Sequence, residues 1–246
     1  MPHTATITRS QFEYWAQAAL QTAKTPSVRA LAKVSGISKS TLSYQLNADS
    51  IPAASIIKIS RGIGSSPLQD LASFPGYENL LISDVSPSRQ ELLALISPRD
   101  ILLETARRLG VRYTHWDIDD FKAGKEYWGP WFKTAAPTAT YSALRDLVGI
   151  SDTQIAKNHK EASWSIEHMA LMSQKFHFSI QLALAVSGSL SFREAGLSPN
   201  IRQDALASAT DEELQHRNEL LATSLAEKMN KPTESEPKHV VLDLLG

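Results

Sequence analysis

The sequence predicts an all-α protein of two tandem helix-turn-helix-containing helical domains, related by internal duplication and joined by a helical connecting segment. Three observations carry that expectation. Phe12, Trp15, Ala16, Ala19 and Leu20 recur at intervals of three and four, which makes one apolar stripe on an amphipathic helix. The run from Val28 to Tyr44 has the punctuation of two helices around a sharp turn. Gly36 supplies the positive φ, small Ala32 suits a close helix crossing, and Leu42 is apolar where the second helix docks on the first. The third observation is repetition. A shift of 113 positions, the separation of Gly36 and Gly149, lays Gly149-Ile150-Ser151 over Gly36-Ile37-Ser38, Ala143-Leu144 over Ala30-Leu31, and Ile155 over Leu42 without a gap.

Taken in order, the first helix ends near Thr25-Pro26-Ser27, whose serine caps a helix from Val28 to Ser35. The recognition helix then runs from Ser38 to about Leu46. Pro52 opens a fourth helix carrying Ile56, Ile57 and Ile59 that stops at Gly62 or Gly64, and Pro67 to Ser73 makes a short fifth. Phe74-Pro75-Gly76 is a break. Two further helices are predicted from Ser86 to Ile96 and from Ser97 to Leu109, and the stretch from Val111 to Asp120 suits a strand or an extended linker. The plan then repeats, with helices near 140–148, 151–160, 164–175, 178–186, 201–208 and 210–229. Thr210 with Glu213 falls on Ser97 with Asp100, a capping hydroxyl followed three residues later by an acid. Two departures mark the second copy. Arg145 replaces Ala32 and must turn outward or push the helices apart. Gly129-Pro130 falls inside its first helix and should break it, or restart it at the proline.

The related halves are about 8–113 and 121–229. The domain organisation expected is 1–73 as the N-terminal helix-turn-helix domain, 74–120 as an acidic helical connector, 121–229 as a divergent second helix-turn-helix-like domain, and 230–246 as a flexible tail. That tail closes on an apolar run from His239 to Leu245, which suits a docking motif, packing back on the fold, or a frayed end.

Composition narrows the function classes. Of 246 residues 42% are apolar, enough for packed cores, and none is cysteine, which excludes disulfides, thiolate zinc sites and cysteine nucleophiles. The residues after Met1 lack a basic start with an apolar run, and no stretch is long and apolar enough to span a bilayer, so no secretory leader and no membrane partner are expected and a cytoplasmic location fits. The formal net charge is −1, but it is unevenly spread: residues 8–73 hold seven Lys/Arg against three Asp/Glu, and residues 74–120 hold five against eight. Residues 121–186 hold seven against five, and the tail from 187 holds six against ten. Both candidate readers are thus basic, and phosphate attraction follows local potential rather than the chain total.

Residues 8–73 resemble the Cro and lambda-repressor-like helix-turn-helix family through Leu31-Ala32, Gly36-Ile37-Ser38 and Ser40-Thr41-Leu42-Ser43. The run from Ile51-Pro52 through Ile56-Ile57-Lys58-Ile59 to Pro67-Leu68 resembles actinobacterial members. Val28 stands where many members carry a phosphate-clamping glutamine. The two-unit architecture resembles immunity repressors of actinobacterial temperate phages. The resemblance of residues 8–73 to the Cro and lambda-repressor-like family implies a five-helix domain in which the second helix of the helix-turn-helix enters the DNA major groove.

The candidate DNA-binding residues are Ser38, Lys39, Ser40, Thr41, Ser43 and Tyr44 in the first unit, and Ser151, Thr153, Gln154, Lys157 and Asn158 in the second. Ser38 caps the helix, Lys39 reaches guanine or a phosphate, the Thr41 methyl touches a thymine methyl, and Ser43 holds a phosphate. Gln154 pairs bidentately with adenine and Lys157 neutralises a phosphate. Asp152 suits a helix start but opposes a phosphate backbone unless it accepts from cytosine. An ordinary solvated helix face accounts for the same polar residues.

The aromatics from Tyr127 to Phe132 suit a core, or stacking on single-stranded bases. His115, His159, His168 and His177 lack metal-ligand spacing. No glycine-rich phosphate loop or nucleophile elbow is present, so no enzyme activity, cofactor or small-molecule ligand is expected. Ala123-Gly124 and Ala195-Gly196 match the bond cut in self-cleaving repressors, but that peptidase is strand-rich and this second half is helix-patterned.

The function expected is a sequence-specific double-stranded DNA-binding repressor of phage or prophage type, acting by occupying operator DNA. The alternative is an interaction or dimerisation module of antitoxin or anti-repressor type. In that case the second domain or the tail engages another copy or a regulatory protein.

Overall fold

The computed structural model describes residues 6–81, 86–112, 121 and 123–229, with side chains to residue 223. Part of the extended segment expected over 111–120, and the tail expected over 230–246 with its apolar run, lie outside the described residues. Among the described residues the fold is all-helical, with one isolated antiparallel bridge between Ile7 and Ile51. The elements are α1 (Arg9–Ala19), α2 (Val28–Ser35), α3 (Lys39–Asn47), α4 (Ala53–Ile63), α5 (Pro67–Ala72), a 3-10 turn (Glu78–Leu80), α6 (Arg89–Leu93) and α7 (Pro98–Arg108). After these come α8 (Lys125–Ala135), α9 (Tyr141–Val148), α10 (Asp152–Glu161), α11 (Ile166–Phe176), α12 (Ile180–Val186), α13 (Ile201–Ala207) and α14 (Asp211–Met229).

Contacts gather these elements into two compact units that interleave along the chain, residues 1–88 with 123–198 and residues 89–122 with 199–246. The expected serial division has its breaks at 73, 120 and 229 instead. The physical reason for interleaving lies in the short helices. α6 has five residues, fewer than the Ser86–Ile96 helix expected, and α13 has seven. Neither buries an apolar stripe alone, so each requires a partner element.

In the first unit, α1 opens with a capping box in which the Thr8 and Gln11 side chains each accept from the other's backbone N–H. Its apolar stripe puts Phe12 and Trp15 into the core, and Trp15 lies 5.6 Å from Phe74. Leu31, Leu42, Ile56, Ile59 and Leu71 fill the space among α2 to α5, all nearly inaccessible. α4 passes very close to the C-terminus of α2. A Cβ added at Gly62 would fall 1.9 Å from the Val34 carbonyl oxygen, so only glycine fits this helical position. Gly62 is thus inside α4, and Gly64, with φ of +75°, ends it.

The elements from α8 to α12 enclose their own core of Trp128, Trp131, Phe132, Ile155, Met169, Met172 and Phe178. The break expected at Gly129-Pro130 does not occur: α8 runs from Lys125 to Ala135 with Pro130 inside it. One i-to-i−4 hydrogen bond is absent at the proline, but Trp128, Trp131 and Phe132 on either side are almost fully buried. Burying each large aromatic contributes about 1.5–3 kcal/mol, which offsets the missing bond.

The second compact unit packs α6 with α13 and α7 with α14. Its core holds Leu93, Ile96, Ile101, Ala205, Leu206, Ala209 and Leu214, with Leu92 packed against it.

Candidate nucleic-acid interface

α3 begins where the sequence predicts it. Gly36 takes the left-handed conformation at φ of +67°, and its N–H closes α2 on the Ala32 carbonyl. Ser38 then caps α3, its Oγ accepting from the Thr41 N–H at 3.0 Å. The same Oγ lies 2.9 Å from Ser40 Oγ and 2.7 Å from Thr41 Oγ1, so three hydroxyls converge at the start of the helix. Leu42 and Leu46 point into the core, which fixes the rotation of α3. Ser38, Lys39, Ser40, Thr41 and Tyr44 therefore face solvent, with Tyr44 74% exposed, while Ser43 is half-buried. Gln45, on the inner side, accepts from Ser55 Oγ at 3.0 Å and ties α3 to α4.

The electrostatics of this face are one-sided. Between residues 14 and 48 the chain carries Lys24, Arg29, Lys33 and Lys39 and no acid. All four are exposed, and α2, with Arg29 and Lys33, and α3, with Lys39, carry no acid of their own. Arg29 and Lys33 were not singled out by the sequence reading. Their i, i+4 spacing on α2 and the long acid-free interval were the available signal.

α10 has the same local build with different chemistry. Gly149 is left-handed at φ of +71°, and Ser151 caps α10 by accepting from the Gln154 N–H at 3.2 Å. Ser151, Asp152, Thr153, Gln154 and Lys157 are exposed. Asn158, expected to face outward, is buried at 6%. Its Oδ1 accepts from Gln154 Nε2 at 2.6 Å and from Ser163 Oγ at 3.4 Å. Asn158 follows buried Ile155 by three residues and so shares its inward face; polarity misled where periodicity would have placed it. Arg145 turns outward, 48% exposed, and reaches Asp152 at 3.3 Å beside the start of α10. Over α9 and α10 the cations Arg145, Lys157 and Lys160 are matched by Asp146, Asp152 and Glu161. This second face is polar but electrically balanced.

Other sequence candidates take structural places. Trp128, Trp131 and Phe132 are core side chains, and Trp128 Nε1 donates to His159 Nδ1 at 3.3 Å. Burial lowers the pKa of His159, favouring the neutral acceptor that this bond requires, and burial likewise lowers that of His168. His115 lies outside the described residues. No group of three metal-ligating side chains occurs among the described residues. Among these, too, no helix is long and apolar enough to cross a membrane.

Comparison with protein-family models, with curated proteins and with solved structures finds no match.

Proposed function

We propose that this chain is a sequence-specific double-stranded DNA-binding repressor of phage or prophage type, with two helix-turn-helix readers that arose by internal duplication. The observation that carries the reading is the exposed face of α3: hydrogen-bonding side chains of modest size, on a capped helix, within an acid-free stretch of the chain. Such a face suits base edges at the helix start and phosphates at its flanks. Occupying operator DNA then excludes polymerase without any chemical step.

The register of the helices supports duplication. α2, α3, α4 and α5 begin at residues 28, 39, 53 and 67, and α9, α10, α11 and α12 begin at 141, 152, 166 and 180, each 113 positions later. The turn glycines Gly36 and Gly149 keep that spacing and share the left-handed conformation. Two readers in one chain raise the effective concentration of the second once the first is bound, so a single chain suits a bipartite site.

The balanced charge on α9 and α10 also favours a second reading, in which that half acts as a scaffold for another copy or a regulatory protein. A gel-shift series with DNA from beside the protein's own gene separates the two. Lys39→Ala/Thr41→Ala should weaken specific binding by about thirtyfold or more, since two base contacts of about 1–3 kcal/mol each are lost. Unchanged affinity and selectivity would remove the DNA-reading proposal. A tight dimer indifferent to DNA in light scattering would establish the scaffold instead.

A further inference from the structure

The two halves of the chain meet in both compact units, and in each unit the same patch of one half meets the same patch of the other. In the unit of 89–122 with 199–246 the exchange reaches single side chains. At a spacing of 113, Arg89 corresponds to Arg202 and Asp100 to Glu213. Arg89 pairs with Glu213 at 3.0 Å, and Arg202 pairs with Asp100 at 3.4 Å. Arg89 Nη1 donates to Ser208 Oγ at 2.9 Å, while Arg202 Nε donates to the carbonyl of Leu95, the counterpart of Ser208, at 2.8 Å. Thr105 and Asn218 are themselves counterparts, and they touch each other: Asn218 Nδ2 donates to Thr105 Oγ1 at 3.0 Å. Residues astride a twofold axis must do this. The core follows suit: Leu92, Leu93, Ile96 and Ile101 share one buried cluster with their counterparts Ala205, Leu206, Ala209 and Leu214, and α6 packs on its counterpart α13 and α7 on its counterpart α14.

In the unit of 1–88 with 123–198 the exchange holds between elements. Arg61 of α4 grips Glu194 through two bonds of 2.7 and 2.8 Å and reaches the Ser189 carbonyl, both beyond α12. α11, the counterpart of α4, answers with Glu167, which accepts from Tyr77 Oη beyond α5. Gln181 of α12 donates to the Leu80 carbonyl at 3.0 Å. The patch formed by α4, α5 and the residues after α5 thus meets its own counterpart. Two halves joined head to tail would use different patches.

We infer that the chain is a pseudo-dimer closed within one polypeptide, and that its two candidate readers address one duplex through an approximate twofold. One chain covers one site, and the two half-sites are unlike in sequence and inverted in orientation. None of the contacts above comes from α2, α3, α9 or α10, and the outward residues of α3 and α10, from Lys39 to Thr41 with Tyr44 and from Asp152 to Gln154 with Lys157, are exposed. Readers related by a twofold meet strands of opposite polarity, whereas a head-to-tail pair would meet a direct repeat. The inference rests on the DNA-reading proposal.

Its test makes the two readers alike. In the full chain the exposed face of α10 takes the residues of α3: Asp152→Lys, Thr153→Ser, Gln154→Thr, Ala156→Ser and Lys157→Tyr. A companion chain carries the reverse exchange on α3: Lys39→Asp, Ser40→Thr, Thr41→Gln, Ser43→Ala and Tyr44→Lys. Wild type and both variants are each used to select from a random-sequence duplex library. Wild type should enrich two unlike elements, and each variant one element twice, inverted, at the wild-type spacing. The inverted duplex should bind about tenfold or more tighter than the same elements as a direct repeat, with one chain per duplex in light scattering. A direct repeat, a lone element, or two chains per duplex overturns the inference and leaves DNA reading standing. If wild type enriches nothing, both fall.

Discussion

Gly62 shows how much one atom decides here. Its missing Cβ is the space into which the Val34 carbonyl oxygen fits at 1.9 Å, so Gly62→Ala must separate α4 from α2. We expect a loss of about 3 kcal/mol or more, beyond ordinary overpacking, read as a lower urea midpoint with an unchanged m-value. Ser38→Ala removes one cap and should cost about 1 kcal/mol, the usual value for an N-cap hydroxyl. The cap was legible in the sequence, because a serine after a turn glycine and before a helical apolar pattern has few other uses. Gly62 was not legible in the same way. A glycine near a helix end has two meanings, a stop or a close approach, and only the packing partner decides between them. Asn158 was misplaced because a polar side chain at an inward position is satisfied by Gln154 and Ser163, partners that composition does not reveal.

Among elements, α8 departs furthest from local rules. It holds Gly129 and Pro130 in its interior and still forms a continuous helix, because Trp128, Trp131 and Phe132 bury the face that propensity alone would leave frayed. Gly129 has a helical φ and nothing within 4 Å of a built Cβ. Gly129→Ala should therefore stabilise the protein by about 0.5–1 kcal/mol, visible as a higher Tm. Failure of Tm to rise would mean that α8 is not helical at that residue. Helix periods, caps and turn glycines were readable for α1 to α5 and α9 to α12, where local signals agree with the packing. α6 was overestimated, since the apolar residues after Leu93 pack into the core without continuing the helix.

For the whole molecule, the interleaving of the halves is what the sequence did not disclose. The shift of 113 matched Thr210 and Glu213 to Ser97 and Asp100. It did not say that Arg89 would reach across to Glu213, since pairing between halves leaves no periodic trace. One such pairing has a pH signature. Arg61 holds the Glu194 carboxyl at about 2, below its ordinary 4.5, chiefly through its hydrogen bonds. A depressed carboxylate stabilises the fold above its unfolded value and loses that contribution as pH falls through the folded one. The difference in urea midpoint between wild type and Glu194→Gln should thus be constant above pH 4.5 and shrink towards pH 2. With Arg61 42% exposed the effect stays at about 1 kcal/mol or less. Binding should also weaken with salt. Three phosphate contacts from Arg29, Lys33 and Lys157 would lower affinity roughly fortyfold between about 50 and 200 mM salt, and a flat response contradicts a phosphate-anchored reader.

The most direct measurement is a footprint on the duplex that the full chain itself selects. Two protected major-groove segments are expected for wild type, one fading in Lys39→Ala/Thr41→Ala and the other in Gln154→Ala/Lys157→Ala. If both segments persist undiminished in both variants, α3 and α10 do not read DNA, and the account is wrong at its centre.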